Sequence, residues 1–464
     1  MTVFSRRRFL AASAASAASV GTSVLAAHAA VGEVDVAIIG AGAAGIAAAR
    51  RIAGTKARLA LIEASSRLGG RCFTDTATFG VPFDRGAHWI HMPDLNPVTP
   101  LAMKSGFDIY AAPPAQRVKI GRRYARAGEM EDYLTATVRA NRAIGDAGRG
   151  KQDVSCAQAL PKDLGDWQPI IEFVLGPFGC AKDLAEVSAL DFSRSAERDT
   201  DMFCRQGLGA LIAKLADGLP VQMSSPVTRI DWSERNRIEI ITAKGRVFAR
   251  TVIVTVSTGV LMSDKLKFEP ELPRRYLDAV GKLQLGSYDH VALELPGNPL
   301  GLQRDEVVFE KAESARTAAI LANISGTTLC TVEVAGKFGA ELAASGEPEM
   351  VSFALAWLTA LYGTDIRKAV KRTSATRWNH EPWTLGAFSA ASPGGQWARG
   401  ALAEPVRDRI FFAGEATHET LWGTVGGAWA SGERAADAVL KKLGFAGGSP
   451  EPKRPTTSAA SRRR

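Results

Sequence analysis

Chemistry is suggested first by three glycines, Gly40, Gly42 and Gly45, in a GxGxxG spacing, by Glu63 downstream, and by the run Arg67-Leu68-Gly69-Gly70-Arg71. Gly40 permits a tight turn, Gly42 lets a pyrophosphate approach the backbone, and Gly45 lets a helix pack closely on a strand. Free N–H groups at the helix start offer that anion donors and a positive dipole end. Glu63 stands where a carboxylate would accept hydrogen bonds from the hydroxyls of an adenosine ribose. The glycines of the second run again allow close backbone approach, and Arg71 presents a guanidinium fork to a phosphate. The glycine spacing alone is a weak signal; joined to Glu63 it predicts a dinucleotide site.

Those residues need particular elements around them. The apolar run Val36-Ala37-Ile38-Ile39 suits a strand buried on both faces of a parallel sheet. Residues 46–52 are alanine-rich and favour helix, and 58–62 read as a second strand ending on Glu63. The stretch 98–203 reads as mostly helical, with 134–147 and 167–175 apolar at helical spacing. Another helix opens at 206–211, and strands are expected at 227–230 and 238–242. The β-branched run 251–256 is expected to return to the first sheet. Segments 291–295 and 317–321 suggest a second sheet, with a helix near 350–362. A last buried strand, 409–413, leads to Gly414-Glu415, and 427–443 reads as an amphipathic helix stopped by Gly444.

The expected fold class is therefore α/β. A Rossmann-like unit over 34–97, 204–285 and 404–445 is interleaved with an α+β substrate-binding domain over 98–203 and 286–403. Length and composition agree: 464 residues, 46% of them hydrophobic, can bury a large core. The formal charge of +9 sits mostly at the ends, in Arg6, Arg7 and Arg8 and in a tail, 446–464, that is rich in Gly, Ser, Pro and Arg. The tail is expected to be disordered. A nearly neutral middle gives no electrostatic case for nucleic acid. Five scattered cysteines without CxxC spacing suggest buried thiols, with neither a metal site nor a disulfide framework.

Ser5-Arg6-Arg7-Arg8-Phe9-Leu10, a mild apolar stretch and Ala27-His28-Ala29 look like a twin-arginine export signal over 1–29. That implies the twin-arginine translocase as a partner during export and a periplasmic or secreted location. The route carries folded proteins, which suits a chain that needs a cytoplasmic cofactor. No later stretch has the roughly 18 consecutive apolar residues of a membrane span.

From Val34 to Gly444 the chain resembles the flavin-containing amine oxidase family, which includes monoamine oxidases, polyamine oxidases, lysine-specific histone demethylases and L-amino-acid oxidases. Three motifs carry the resemblance. They are the glycine unit with Arg67 to Arg71, the strand 251–256, and Phe411-Phe412-Ala413-Gly414-Glu415-Ala416-Thr417 followed by Gly427-Ala428-Trp429-Ala430-Ser431-Gly432-Glu433-Arg434-Ala435-Ala436. The resemblance implies FAD and the architecture shared by amine oxidases and p-hydroxybenzoate hydroxylase. It places Gly40, Gly42, Ala43, Ala44, Gly45, Glu63 and Ala64 on the cofactor. Gly70, Arg71, Val227, Gly414, Glu415, Thr424 and Val425 complete that set. Glu415 is expected on the ribityl and phosphate region, and the helix from Gly427 to aim its N-terminus at the isoalloxazine. Ala387 stands where monoamine oxidases carry the cysteine that bonds the flavin, so attachment is expected to be noncovalent.

On the substrate side the resemblance is strongest to polyamine oxidases. Gly86-Ala87-His88-Trp89-Ile90-His91 with Asn96-Pro97-Val98 puts His91 on the substrate amine, and Trp89 where L-amino-acid oxidases have a carboxylate-pairing arginine. The paired aromatic cage of monoamine oxidases maps onto Phe388 and Thr424, so one ring is missing; Trp383 and Trp422 are further wall candidates. His290 replaces the lysine that holds a water against flavin N5, which makes reoxidation by O2 less assured. The implied reaction is hydride transfer from a small-molecule primary or secondary amine to FAD, with hydrolysis of the imine to a carbonyl compound and reduction of O2 to hydrogen peroxide. His91 and His290 are the expected catalytic groups. Alternatives are an L-amino-acid oxidase or tryptophan 2-monooxygenase, an amine dehydrogenase using a periplasmic electron acceptor, and a flavin-binding protein without turnover.

Overall fold

The computed structural model describes residues 31–113, 116–195 and 200–445. The arginine motif, the expected cleavage site and the basic tail lie outside the described residues. No described helix is long and apolar enough to cross a membrane.

The opening apolar run is the buried end of the strand Val31–Ile39. It pairs in parallel with Leu59–Ile62 on one side and Gly245–Val254 on the other. An eight-stranded sheet grows outward from this centre, with Val221–Gln222 beyond Leu59–Ile62 and with Ile238–Thr242, Val227–Asp231 and Lys267–Glu269 beyond Gly245–Val254. Ile410–Phe412 also pairs in parallel with Gly245–Val254. Period-two alternation divides the side chains. Ile38, Leu61 and Ile253 pack into one apolar cluster with Ala48, Ala436 and Val439, whereas Ile39, Ile62, Val252 and Val254 pack into another on the opposite face. Burial on both faces explains why these strands read as continuous apolar runs.

The helices Ala43–Ala53 and Val425–Leu443 share one face of this sheet and touch closely. A Cβ on Gly432 would lie 2.1 Å from the Ala44 carbonyl oxygen, so a side chain there would force the helices apart. Gly40, Glu63, Thr255 and Gly414 all follow the carboxyl ends of parallel strands in this sheet, where open α/β sheets place their ligands.

A seven-stranded sheet has the order Thr373–Ala375, Tyr288–Glu294, Leu329–Ala335, Ala319–Ala322, Glu306–Glu310, Gln116–Ile120, Arg123–Tyr124. The helix Glu347–Tyr362 packs Met350, Ala354, Leu358 and Leu361 against it. A small third sheet joins Ile90–His91 to Asp201–Cys204 and Asp201–Cys204 to Ile109–Ala111, all antiparallel.

The structure corrects the sequence reading in two places. Within 98–203 the helix Ala127–Gly148 forms as expected, but Ile109–Ala111, Gln116–Ile120, Arg123–Tyr124 and the start of Asp201–Cys204 are strands. Gln116–Ile120 is mostly polar and earns its conformation by parallel pairing with Glu306–Glu310, nearly two hundred residues away, so no local periodicity marks it. The last helix starts at Val425, two residues before Gly427, because the Thr424 side chain accepts from the Gly427 N–H and caps it. All five cysteines are buried thiols outside any disulfide, as expected.

Candidate active site

A cavity of about 1220 Å³ runs from the carboxyl ends of the first sheet to the second sheet and the helix Ala127–Gly148. It exceeds the roughly 300–1,000 Å³ of an ordinary single-ligand pocket. At one end the glycine turn forms its floor. Gly40 has φ +101°, and a Cβ there would meet the Thr255 hydroxyl oxygen at 2.7 Å. A Cβ on Gly45 would stand 1.8 Å from the Gly40 carbonyl oxygen, so Gly45 serves the helix–turn contact and lies behind the cavity wall. Gly42 is different: the nearest protein atom to a Cβ would be the Gly69 carbonyl oxygen at 3.8 Å. Nothing in the fold fills the space above Gly42, which opens on the cavity, and the same holds for Gly414, with φ +143° and no atom within 4 Å. These two backbone openings fit a dinucleotide laid against them.

Glu63 ends the second strand on the cavity wall, and its carboxylate accepts from the Ala41 N–H at 2.7 Å and from the Ser65 N–H and hydroxyl at 2.8 Å. It holds the glycine turn as well as facing the cavity. Ala43, Ala44, Ala64, Gly70, Arg71 and Val227 line the same wall. Burial beside this wall pushes the Cys72 thiol up to about 12.

Arg71 and Glu415, expected on phosphate and ribityl groups, are bound to each other. Arg71 Nη1 donates to Glu415 Oε1 at 3.0 Å and to the Ala387 carbonyl. Glu415, 5% exposed, also accepts from the Ser389 hydroxyl at 2.7 Å and the Gly423 N–H at 3.0 Å. Its carboxylate therefore gathers three segments, the Arg71 loop, the 387–389 loop and the turn into the last helix. Besides bordering the cavity where the ribityl and phosphate region is expected, Glu415 thus has a structural role. Thr424 likewise is a helix cap whose hydroxyl donates to the Leu421 carbonyl at 2.7 Å, although it and Val425 line the cavity.

At the other end stand the aromatic and histidine groups. His91 and Asp201 are opposite residues on adjacent antiparallel strands, and the imidazole Nδ1 donates to Asp201 Oδ1 at 2.7 Å. The Trp89 ring lies parallel to His91 with centroids 6.3 Å apart and edges onto Phe203 at 4.6 Å. Phe388 faces Tyr288 at 6.1 Å. Gly423 makes room for Phe388, since a Cβ there would come within 2.9 Å of its ring. Trp89, His91, Tyr288 and Phe388 all border the cavity. Trp422 borders it too, but is otherwise core: 1% exposed, with the Arg399 guanidinium 4.8 Å over its ring. Trp383 is 37% exposed at the rim beneath the Lys265 ammonium, 5.3 Å from its ring centre.

His290 borders the cavity but has both ring nitrogens engaged, Nδ1 with the Glu333 carboxylate and Nε2 with the Gly86 carbonyl at 3.1 Å. Burial alone would lower its pKa; the Glu333 carboxylate and the Gly86 carbonyl outweigh that and raise it. An imidazolium spent on two acceptors neither holds a water nor takes a proton, so the expectation of a catalytic His290 is corrected to that of a charge fixing the backbone at Gly86.

Asp201, Tyr288, Ser389 and the residues Asn141, Arg142 and Arg149 on the cavity wall were not legible in the sequence. Asp201 lies 110 residues from His91, and only the pairing of two short strands joins them.

The family model for flavin-containing amine oxidoreductases matches residues 43–440. Polyamine oxidase 5 of Oryza sativa subsp. japonica is 28% identical over 448 residues, covering 88% of each chain. Lysine-specific histone demethylase 2 of Homo sapiens is 27% identical over 441 residues, covering 87% of this chain and 53% of the relative. The chain thus spans about half the length of such demethylases. Among solved structures, cyclohexylamine oxidase from Brevibacterium oxydans IH-35A superposes with a TM-score of 0.75 at 19% identity, covering 89% of this chain and all of that one. Putrescine oxidase bound to putrescine gives 0.73 at 21%, covering 88% and 99%. At these identities the two structures show a shared fold. The match over nearly the whole described chain, with backbone openings that fit a dinucleotide, places this protein in the flavin-containing amine oxidoreductase family.

Proposed function

We propose that this enzyme oxidises a primary or secondary amine at a noncovalently held FAD, and the observation that carries the proposal is the His91–Asp201 pair beside Trp89 on the cavity wall. A bound flavin would supply the redox chemistry, as acceptor of the hydride lost from the carbon bearing the nitrogen and as donor of two electrons to O2, giving hydrogen peroxide, or to a periplasmic acceptor, and the resulting imine would be hydrolysed by water to a carbonyl compound. The protein's part is orientation and proton management. Gly42, Gly414, Glu63 and Val227 would hold the dinucleotide. Asp201 fixes the tautomer and plane of His91, which accepts a proton from the substrate ammonium so that the amine reacts neutral. Trp89, Phe388 and Tyr288 wall off water around it.

Ala387 supplies no nucleophile, and the Cys72 thiol on the cavity wall is held protonated by burial, which supports noncovalent attachment. The engaged nitrogens of His290 favour a second reading on the electron-acceptor side. With no free group at that position to seat a water, a periplasmic acceptor would outcompete O2. Export by the twin-arginine route to the periplasm or beyond rests on the arginine motif and on a cofactor acquired before export.

One experiment tests the reading. The bound flavin is exposed anaerobically to monoamines, polyamines and amino acids, and then to oxygen. Bleaching by amines is expected, with slow reoxidation if the second reading holds; failure of every amine to bleach the flavin overturns the proposal.

A further inference from the structure

The substrate end of the cavity has a wall that none of the family motifs reaches. Val138, Asn141, Arg142, Gly145 and Arg149 border the cavity from the helix Ala127–Gly148 and its cap, at a spacing of three and four residues that puts them on one helical face. The helix is seated against Ala189–Arg194 through Gly148, where a Cβ would come within 2.3 Å of the Ser193 hydroxyl oxygen and 2.6 Å of the Ala189 carbonyl. The wall is thus fixed in place.

Its charge is one-sided. Four carboxylates border the cavity among the described residues, Glu63, Asp201, Glu381 and Glu415. Glu63 holds Ala41 and Ser65, Asp201 holds His91, and Glu415 holds Arg71, Ser389 and Gly423. Glu381 lies in the field of the Arg67 guanidinium. None of them stands on the helical wall to receive a second ammonium. The wall itself carries two guanidinium groups. Arg149 pairs with Asp146, whereas Arg142 makes no ion pair with a described residue.

We infer that Arg142 selects the far end of the substrate: an amine whose distal end is a carboxylate is accepted in preference to a diamine of equal length. The inference rests on the amine-oxidising reading and names the substrate class for it. A distal ammonium would approach an unneutralised guanidinium and be repelled; a distal carboxylate would pair with it.

The test compares ω-aminohexanoate, diaminohexane and hexylamine as anaerobic reductants of the bound flavin, in the wild type and in Arg142→Glu and Arg142→Gln. Aminohexanoate should reduce the wild-type flavin faster than diaminohexane at equal concentration. The ratio of the two should fall roughly tenfold in Arg142→Glu, where the reversed charge acts on both substrates, and by less in Arg142→Gln, a solvent-accessible charge pair being worth up to about fivefold. Hexanoate and its uncharged analogue hexanamide, titrated as inhibitors, supply an equilibrium readout. Hexanoate should bind the wild type more tightly, and its advantage should shrink as salt is added. Flavin content and absorbance report whether each variant is folded. A ratio that favours diaminohexane, or one that Arg142→Glu leaves unmoved, overturns the assignment while hexylamine still bleaches the flavin. If no amine bleaches the flavin, the amine-oxidising reading falls and this assignment with it.

Discussion

At the scale of single residues, two histidines on one cavity wall are set apart by their hydrogen-bond partners. His91 pairs with the Asp201 carboxylate across two adjacent strands, and its role depends on that partner. Asp201→Asn should therefore lower the rate of amine-driven flavin reduction by roughly 10- to 100-fold, at or below the lower end of the roughly 100- to 10,000-fold span of general acid–base effects, because His91 itself is kept. Stopped-flow absorbance checks this, and a change confined to KM would assign the pair to binding. His290, with acceptors at both nitrogens, is a protonated structural group. Burial would lower its pKa, but the Glu333 carboxylate leads the opposing effects and raises it above the ordinary value of about 6.5. A histidine with a raised folded pKa adds stability that is fully present below the unfolded value and is lost as pH rises through the folded one. His290→Gln keeps hydrogen-bonding groups and cannot be charged. The gap in Tm between wild type and His290→Gln should then be widest near pH 6 and narrow in alkaline solution; a gap independent of pH would mean a neutral ring.

The elements make a sharper distinction among the glycines than their shared motif suggests. Gly45 and Gly42 are three residues apart, yet a Cβ would lie 1.8 Å from a backbone oxygen at Gly45 and no nearer than 3.8 Å to any protein atom at Gly42. Gly45→Ala should cost stability, about 1–3 kcal/mol by overpacking, with flavin affinity falling as a consequence. Gly42→Ala should unfold at the wild-type denaturant midpoint as apoprotein and lose only flavin affinity, measured by fluorescence titration. The same contrast explains what was legible in the sequence. The runs at Val36 to Ile39, 58–62, 251–256 and 409–413 were readable because burial on both faces leaves an unbroken apolar signature. The motif residues at Gly40, Glu63 and Gly414 were readable because strand, turn and helix follow one another locally. Gln116–Ile120 and Asp201–Cys204 were not, because their pairing partners are far away in the chain and their composition is mixed. For that reason Asp201 escaped notice while His91, within a recognisable motif, did not. Glu415 was found but its partners were not, since Arg71 and Ser389 reach it only after two distant loops meet.

Across the whole molecule, a ladder of polar groups ties the wall of the cavity to its floor. Asp191 and Arg399 form a two-pronged pair at 2.7 Å with neither side chain exposed. Arg399 donates onward to the Ser389 hydroxyl at 3.2 Å, Ser389 to Glu415 at 2.7 Å, and Arg71 to Glu415 at 3.0 Å. The ladder thus joins the helices Ala189–Arg194 and Trp397–Ala403 to the loop beside Phe388 and to the glycine run after Glu63. Arg399→Met alone strands a buried carboxylate and should cost about 3–5 kcal/mol in denaturant unfolding. Replacing both partners, as Arg399→Met with Asp191→Leu, removes the stranded charge and should recover most of that loss. Flavin retention should not recover with it. Ser389 would still lack the donor that orients its hydroxyl, and Glu415 would rest mainly on Arg71 and the Gly423 N–H. Gel filtration of the double variant should therefore release flavin from a protein whose unfolding midpoint is close to that of the wild-type apoprotein. Recovery of both together would mean that the ladder contributes stability alone and that the position of Glu415 is set by its other partners.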